Sequence, residues 1–167
     1  MPGVWVFPGG AVEVEGSDAP PPNHSGDVSE HAHRACAIRE LEEEAGISLA
    51  ADADLRPWSR WITPEPSPMR FDTRFYVALA PAHSPPKPDG VEIIDAGWFS
   101  PRGALEMHAA GELGLVFPTI KHLEELAAFG TAEEVMAAAE GRRVEPVMPR
   151  IVGKDGNRRE VLPYEAD

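Results

Sequence analysis

The sequence is poor in cysteine and in long apolar stretches, and each shortage excludes a class of protein. Among 167 residues there is one cysteine, Cys36, so no disulfide can form within the chain, and a reducing cytoplasm is the expected location. No apolar run approaches the roughly 20 residues that a membrane-spanning helix needs. The start of the chain lacks the basic residues and apolar stretch of a signal peptide. We therefore expect a cytoplasmic protein without a membrane partner.

Basic residues are also scarce, 15 against 28 acidic ones, and the formal net charge is -13. An acidic surface repels phosphate backbones, which argues against a nucleic acid polymer as partner. A small phosphate ester stays compatible with this charge, because a bound metal ion reverses the local field. The length and a hydrophobic fraction of 43% predict one globular domain with a single core.

The most informative stretch is a predicted helix that carries clustered carboxylates and ends at Gly46. Glu40, Glu43 and Glu44 are three or four residues apart and therefore share one face of the helix. Like charges at this spacing cost on the order of a few tenths of a kcal/mol per pair. A divalent cation would remove the repulsion, since Mg²⁺ takes carboxylate oxygens as ligands. The alternative is an ordinary solvated acidic helix face.

The residues around these carboxylates resemble the Nudix box. From Arg39 to Ile47 the chain reads Arg-Glu-Leu-Glu-Glu-Glu-Ala-Gly-Ile, which fills every specified position of the second half, Arg-Glu-U-x-Glu-Glu-x-Gly-U with U aliphatic. Gly9 and Glu15, with five residues between them, fit the first half. The family normally places seven residues between the halves, whereas 23 residues, 16 to 38, separate them here. A split box of this kind is similar to the Nudix branch that includes eukaryotic coenzyme A diphosphatases.

This resemblance implies a fold, an activity and a set of site residues. The implied fold is the α+β Nudix fold, a mixed β-sheet sandwiched between α-helices. The implied enzyme is a diphosphatase with Mg²⁺ or Mn²⁺ as cofactor. It hydrolyses a diphosphate bond in a nucleoside diphosphate linked to another group, and coenzyme A and acyl-CoA are candidate substrates. The implied residues are Glu40, Glu43 and Glu44 as catalytic metal ligands, Arg39 as a further catalytic residue, and Gly9 and Gly10 in a substrate-binding turn that faces the metal.

Three questions stay open at this point. The first is whether the protein turns over a substrate at all, since a catalytically weak Nudix-like protein that binds or regulates is the alternative. The second is the partner of Arg39, which in the family is the first glutamate of the box, Glu15 here, while Glu43 at i+4 is within reach. The third is the general base, for which the candidates are Glu40, Glu43 and the loop carboxylates Glu65 and Glu92.

A strand is predicted from Arg70 to Ala78, where apolar and polar residues alternate. Arg70 and Arg74 lie on one face of it and are predicted to bind substrate phosphates. The alternative is a half-solvated strand with cross-strand salt bridges.

Turn residues and periodicity predict the remaining elements of a single domain over residues 1–167. Gly, Ser, Asp, Pro and Asn are concentrated at about 16–26, which predicts an exposed insertion loop before a helix with Asp27 as N-cap. The further predicted strands are Val4–Phe7, Leu55–Thr63 and Val91–Phe99; the further helices begin at Pro101, Ile120 and Ala132; and a closing hairpin joins 144–152 to 160–162.

The Val4–Phe7 segment is apolar on both faces, which predicts an interior strand with a hydrogen-bonding neighbour on each side. Family members generally carry at least one strand and a hairpin before this segment, and this chain begins at Met1. We therefore expect either that the natural chain begins further upstream or that the N-terminal strands of the fold are missing. An exposed sheet edge would then recruit a second copy of the chain and give a homodimer.

Overall fold

The structure is a computed structural model that describes residues 3–12, 29–65, 67–88, 90, 93–153 and 157–165. The predicted insertion loop, Asp27, Glu15 and Glu92 lie outside these residues. The elements of the described part, in chain order, are α1 (Glu30–Ala45), β1 (Arg56–Ile62), β2 (Asp72–Val77), α2 (Pro101–Ala109), α3 (Phe117–Leu126), α4 (Ala132–Ala139), β3 (Pro146–Val147), β4 (Arg150–Val152) and β5 (Arg159–Val161).

The central sheet is mixed and has the strand order β2-β1-β3. β1 and β2 are antiparallel, with Arg56 opposite Val77 and Ile62 opposite Asp72, and an irregularity lies between Pro57 and Ser59. β3 runs parallel to β1. β4 and β5 form a separate antiparallel pair, as the predicted closing hairpin requires.

Neighbouring residues of β2 show that helices lie on both faces of the sheet. Arg74 and Tyr76 contact Glu30 of α1, at 2.6 and 2.9 Å. Phe75, between them, points the other way, and its ring centroid lies 4.3 Å from that of His122 in α3. The sheet is therefore sandwiched between α1 and α3, which confirms the predicted α+β architecture.

Buried aromatic and aliphatic side chains hold these layers together. Trp58 and Trp61 of β1 are buried, and their rings contact Phe129, after α3, and Phe117, at the start of α3. A second cluster joins α2 to α3 through Ala104, Leu113 and Leu123. No helix in the described part of the chain is both long enough and apolar enough to cross a membrane.

The helix ends follow ordinary capping chemistry. Pro101 is at the start of α2, and the Ser100 side chain accepts a hydrogen bond from the Gly103 N–H. Thr131 caps α4 in the same way, and this helix begins at Ala132 as predicted. α3 begins at Phe117 rather than Ile120, because Pro118 is compatible with the first turn of a helix, where its missing N–H has no partner to lose.

The predicted N-cap of α1 is wrong. Ser29, not Asp27, caps the helix, and its Oγ accepts a hydrogen bond from the Ala32 N–H at 3.2 Å. The residue directly before the first turn is the one whose side chain reaches the unpaired N–H groups, and Ser29 holds that position. At the other end Gly46 has the left-handed conformation, φ 63°, that ends the helix as predicted.

Two predicted strands are also absent from the described residues. In Val4–Phe7 only Trp5 makes a ladder contact, a single bridge to Leu115, and Val6 is 51% exposed. Residues 93–99 form no strand, and Ile94 is 83% exposed. Apolar content predicted strands at both places, but side chains that bury little surface give no reason to join a sheet.

Candidate active site

The glycine turn that follows Phe7 lies against the carboxylate end of α1. The Gly9 N–H donates a hydrogen bond to Oε2 of Glu44 at 2.8 Å, across 35 positions of sequence. At Gly10 a Cβ atom would collide with the carboxylate of Glu40. Since glycine has no Cβ, the Glu40 carboxylate packs directly on the backbone of the turn. Two of the three clustered carboxylates are thus held by the turn.

Arg39 links the other contacts of the cluster. Its guanidinium binds Oε1 of Glu40 at 2.7 Å and Oε2 of Glu43 at 2.6 Å. It also lies 3.5 Å from the carbonyl oxygen of Ala11, the residue after the turn. Of the two partners considered for Arg39, Glu43 is therefore present, while Glu15 lies outside the described residues.

Cys36 lies one helical turn before Glu40 and contacts the same glycine turn. Its Sγ donates to the carbonyl oxygen of Ala11 at 3.4 Å and lies 3.7 Å from that of Gly10. Burial raises the pKa of the Cys36 thiol, so that the group is a neutral donor at pH 7. Cys36 is therefore a small, buried packing residue.

The three carboxylates differ in their access to solvent. The Glu40 side chain is 12% exposed and that of Glu43 is 57% exposed, and Glu44 is half-buried. Glu40 and Glu44, one turn apart, both meet the turn, while Glu43 projects outward. The cluster therefore combines two fixed oxygen donors with an accessible one.

The chemistry of this donor set fits Mg²⁺ or Mn²⁺, because both ions prefer carboxylate and carbonyl oxygens. The close packing of Glu40 on Gly10 also places a carboxylate beside the backbone of the turn. Within the described ranges, however, no three acidic, histidine or cysteine side chains converge closely enough to hold an ion. Arg39 occupies oxygens of Glu40 and Glu43, so an ion at these residues competes with its guanidinium.

The two arginines predicted to bind phosphate contact residues outside the carboxylate cluster. Arg74 pairs with Glu30, which precedes Glu40 by ten positions, or about 15 Å along the helix. The Arg70 Nε donates to the carbonyl oxygen of Thr63 at 3.1 Å. A cross-strand salt bridge does form, between Arg60 and Asp72 at 2.5 Å, as the alternative interpretation of this strand expected.

Sequence reasoning missed one buried polar pair on the opposite face of the sheet. His122 of α3 and Ser59 of β1 lie 2.5 Å apart, from Nε2 to Oγ. Burial lowers the pKa of His122 to about 4. The pair joins residues 63 positions apart, and no local pattern of either segment predicts it.

Comparison with known proteins gives consistent matches. Residues 1–117 match the family model described as NUDIX domain. Acyl-coenzyme A diphosphatase NUDT19 of Homo sapiens is 31% identical over 108 residues, 59% of this chain and 29% of that protein. Putative nudix hydrolase 7 of Caenorhabditis elegans is 28% identical over 160 residues, 75% of this chain and 51% of that protein. The chain thus spans about half or less of the length of these curated relatives.

A solved structure shares the fold. The crystal structure of a NUDIX hydrolase from Alicyclobacillus acidocaldarius superposes with a TM-score of 0.64 at 28% sequence identity, and the match covers 81% of each chain. The predicted fold is therefore confirmed, and the sheet with a helix on each face is its central part.

Proposed function

The chain belongs to the Nudix family, and we propose that it hydrolyses a diphosphate bond in a nucleoside diphosphate linked to another group. One observation carries the proposal: Gly9 and Gly10 of the first half of the box meet Glu44 and Glu40 of the second half in one site. A solvated acidic helix face has no need of such contacts. The long insertion therefore leaves the two halves able to act together.

The carboxylates are the groups that would hold the cofactor. Glu40, Glu43 and Glu44 would bind Mg²⁺ or Mn²⁺, which when bound supplies Lewis-acid activation of the phosphate. The turn orients Glu44 through the Gly9 N–H, and Arg39 together with Gly10 fixes Glu40. Fixing these groups before the substrate arrives lowers the entropic cost of assembling the site.

Arg39 is a positioning residue in this proposal. It contacts both Glu40 and Glu43, and its positive charge offsets the repulsion between the two carboxylates. It must release part of this contact when a cation binds to both. Without Arg39, Glu40 and Glu43 are held less firmly against the turn. We therefore expect that replacing Arg39 lowers kcat by a larger factor than it raises KM.

The reaction consumes one water molecule and breaks one P–O bond of the anhydride. Water adds to one phosphorus, the other phosphate leaves, and a carboxylate accepts the proton, so that two phosphomonoesters form. Glu43 is the candidate base that best combines proximity to the cluster with exposure to solvent. Glu40 and Glu65 are the other candidates within the described residues, and Glu92 lies outside them.

Of the two arginines predicted to bind phosphate, Arg70 is the better candidate. Its described contacts are to the Thr63 carbonyl and the Met148 sulfur, neither of which neutralises its charge. Arg74 already pairs with Glu30. An arginine that keeps its charge uncompensated binds phosphate more strongly, so Arg70→Ala should raise KM more than Arg74→Ala.

Coenzyme A and acyl-CoA are the first substrates to test. Two of the similar proteins, from Homo sapiens and Xenopus laevis, are named acyl-coenzyme A diphosphatase, and the split box of this chain is similar to that Nudix branch. The test is a screen of coenzyme A, acyl-CoA, NADH, ADP-ribose and nucleotide sugars, with and without Mn²⁺, which measures the phosphomonoesters released. Metal-dependent release from one of these classes supports the proposal, and no release from any of them contradicts it.

A second candidate function is nucleotide binding without turnover. It is favoured by Arg39, which takes oxygens of two of the three carboxylates, and by the lack of a converged metal-binding group in the described residues. The same screen separates the two functions when binding is measured beside product release. Tight binding of a substrate that stays intact with Mn²⁺ present would favour this second function.

A further inference from the structure

An open groove of about 640 Å³ lies between Trp98 and the loop that follows β2, and this volume is in the range of small-molecule sites. The groove is lined by Ala80, Pro81, His83, Ser84, Pro85 and Trp98. Trp98 is 61% exposed, and none of the described aromatic rings packs on it. A large apolar ring is therefore open to a ligand in this groove.

The Trp98 ring is anchored at both its own nitrogen and the next residue. Its indole N–H donates a hydrogen bond to the Ser84 carbonyl oxygen at 2.8 Å. The neighbouring Phe99 packs edge-on against Trp5, with ring centroids 5.0 Å apart. An aromatic ring that is already fixed loses little conformational entropy when a flat ligand stacks on it. Trp98 therefore offers a preformed stacking surface.

The loop of the groove leads directly to the carboxylate end of α1. The Lys87 N–H donates a hydrogen bond to the Ala45 carbonyl oxygen at 2.8 Å, and Ala45 directly follows Glu44. Lys87 comes three positions after Ser84, a stretch that spans at most about 11 Å. The groove therefore adjoins the end of the helix at which the glycine turn binds Glu44.

Lys87 adds a positive charge to the chain between the groove and the helix. Its side chain begins beside Gly46, where an added Cβ would lie 3.1 Å from the Lys87 Cβ. Lys87 is exposed, and the ion pairs formed among the described residues do not include it. A lysine with these properties suits a phosphate group. An aromatic surface, a cation and the carboxylates thus follow one another, as base, phosphate and metal-bound diphosphate would require.

We propose that Trp98 stacks on the nucleobase of the diphosphate substrate and that Lys87 binds its phosphates. This inference rests on the proposed function and names the part of the substrate that the enzyme recognises. Every base has a flat π face that stacks on an aromatic side chain. Because a ribose separates the base from the diphosphate, the base site must lie beside the carboxylates and not among them. ADP is a suitable probe, since coenzyme A, NADH and ADP-ribose all contain an adenine base and phosphates.

The first test compares ADP with inorganic pyrophosphate, which has no base. Each is titrated by calorimetry, with Mg²⁺, into the full chain. Trp98→Ala should weaken ADP binding by about tenfold, an effect typical of losing one base–aromatic stack, and should leave pyrophosphate binding unchanged. Lys87→Gln should weaken the binding of both. Trp98→Phe keeps an aromatic face and should retain most of the affinity for ADP, and Tyr164→Ala, at an exposed aromatic residue beside α3, should retain all of it.

A second measurement detects the contact in the unmutated chain. The indole N–H signal of Trp98 in the ¹⁵N-labelled protein, assigned with Trp98→Phe, should shift saturably with ADP and less with pyrophosphate. The signal of the buried Trp58 should stay unchanged.

The inference is overturned if ADP does not bind, if bound ADP leaves the Trp98 signal in place, or if Trp98→Ala either leaves ADP binding unchanged or weakens both ligands alike. The proposed function can fail separately. Binding of ADP that depends on Trp98, in a protein that hydrolyses nothing in the substrate screen, would support the base site and contradict the proposed hydrolysis.

Discussion

The two faces of the central sheet use opposite chemistry. On the α1 face, acidic side chains range from nearly buried to exposed and are held by a backbone N–H and one arginine. On the α3 face, Trp58 and His122 are buried, and the surrounding charges are paired. The difference teaches that acidic side chains cluster beside the glycine turn on the α1 face, whereas the α3 face supplies buried aromatic packing.

Replacing Trp58 should cause the largest loss of stability. Trp58→Ala removes a side chain that is 2% exposed and packs on Phe129 and Arg142, so we expect a loss of about 3 to 5 kcal/mol in the free energy of unfolding. Trp98→Ala, at an exposed tryptophan, should cost less than about 1 kcal/mol. Urea unfolding of both variants measures this, and similar losses would remove the contrast between core and surface.

The buried histidine predicts a dependence of stability on pH. His122 has a folded pKa of about 4, below the value of about 6.5 for a free histidine. Below pH 6.5 the unfolded chain therefore binds a proton at His122, whereas the folded chain does not until the pH nears 4. The free energy of unfolding is therefore highest above pH 6.5. It falls as the pH drops towards 4, by on the order of 3 kcal/mol.

Unfolding measured from pH 7 to pH 4 in the parent and in His122→Gln checks this effect. His122→Gln should lose most of the decrease in unfolding free energy between pH 7 and pH 4. His31→Gln, at an exposed histidine, should keep it. An equal slope in the parent and in His122→Gln would show that other groups cause the acid sensitivity.

On the α1 face we predict a loss of activity with little loss of stability. Glu44→Gln keeps an acceptor for the Gly9 N–H but removes a carboxylate charge, so hydrolysis should fall by about 100-fold or more. Glu42→Gln is the matched control on the same helix, since Glu42 contacts Ser48 rather than the turn. Kinetics with a Mg²⁺ titration and a thermal melt measure both variants, and activity of Glu44→Gln within a few-fold of the parent contradicts its assignment as a metal ligand.

Elements fixed by local chemistry could be predicted from the sequence. The end of α1 at Gly46 and the starts of α2 at Pro101 and α4 at Ala132 depend on neighbouring residues, and they were confirmed. Segments whose state depends on distant partners were harder. Val91–Phe99 is apolar enough for a strand, yet Ile94 finds no covering layer among the described residues and is 83% exposed.

The candidate site divides in the same way. The spacing of Glu40, Glu43 and Glu44 follows from helix periodicity, but their meeting with Gly9 and Gly10 came only from the resemblance, because no local rule brings together residues so far apart. Neither helix periodicity nor the resemblance predicted the Ser59–His122 contact. The predicted homodimer, the cytoplasmic location and the roles of the individual site residues stay predictions.

The central claim is that the glycine turn and the box helix work as one site, and two neighbouring glycines test it. A Cβ at Gly10 would collide with the Glu40 carboxylate, whereas a Cβ at Gly9 meets nothing within 4 Å. Both variants keep their backbone N–H, and neither glycine has a left-handed conformation. The measurement is kcat/KM for metal-dependent hydrolysis by Gly10→Ala and Gly9→Ala, beside thermal melts of both. The account predicts a loss of about tenfold or more for Gly10→Ala and less than about threefold for Gly9→Ala; equal activity of the two variants would contradict it.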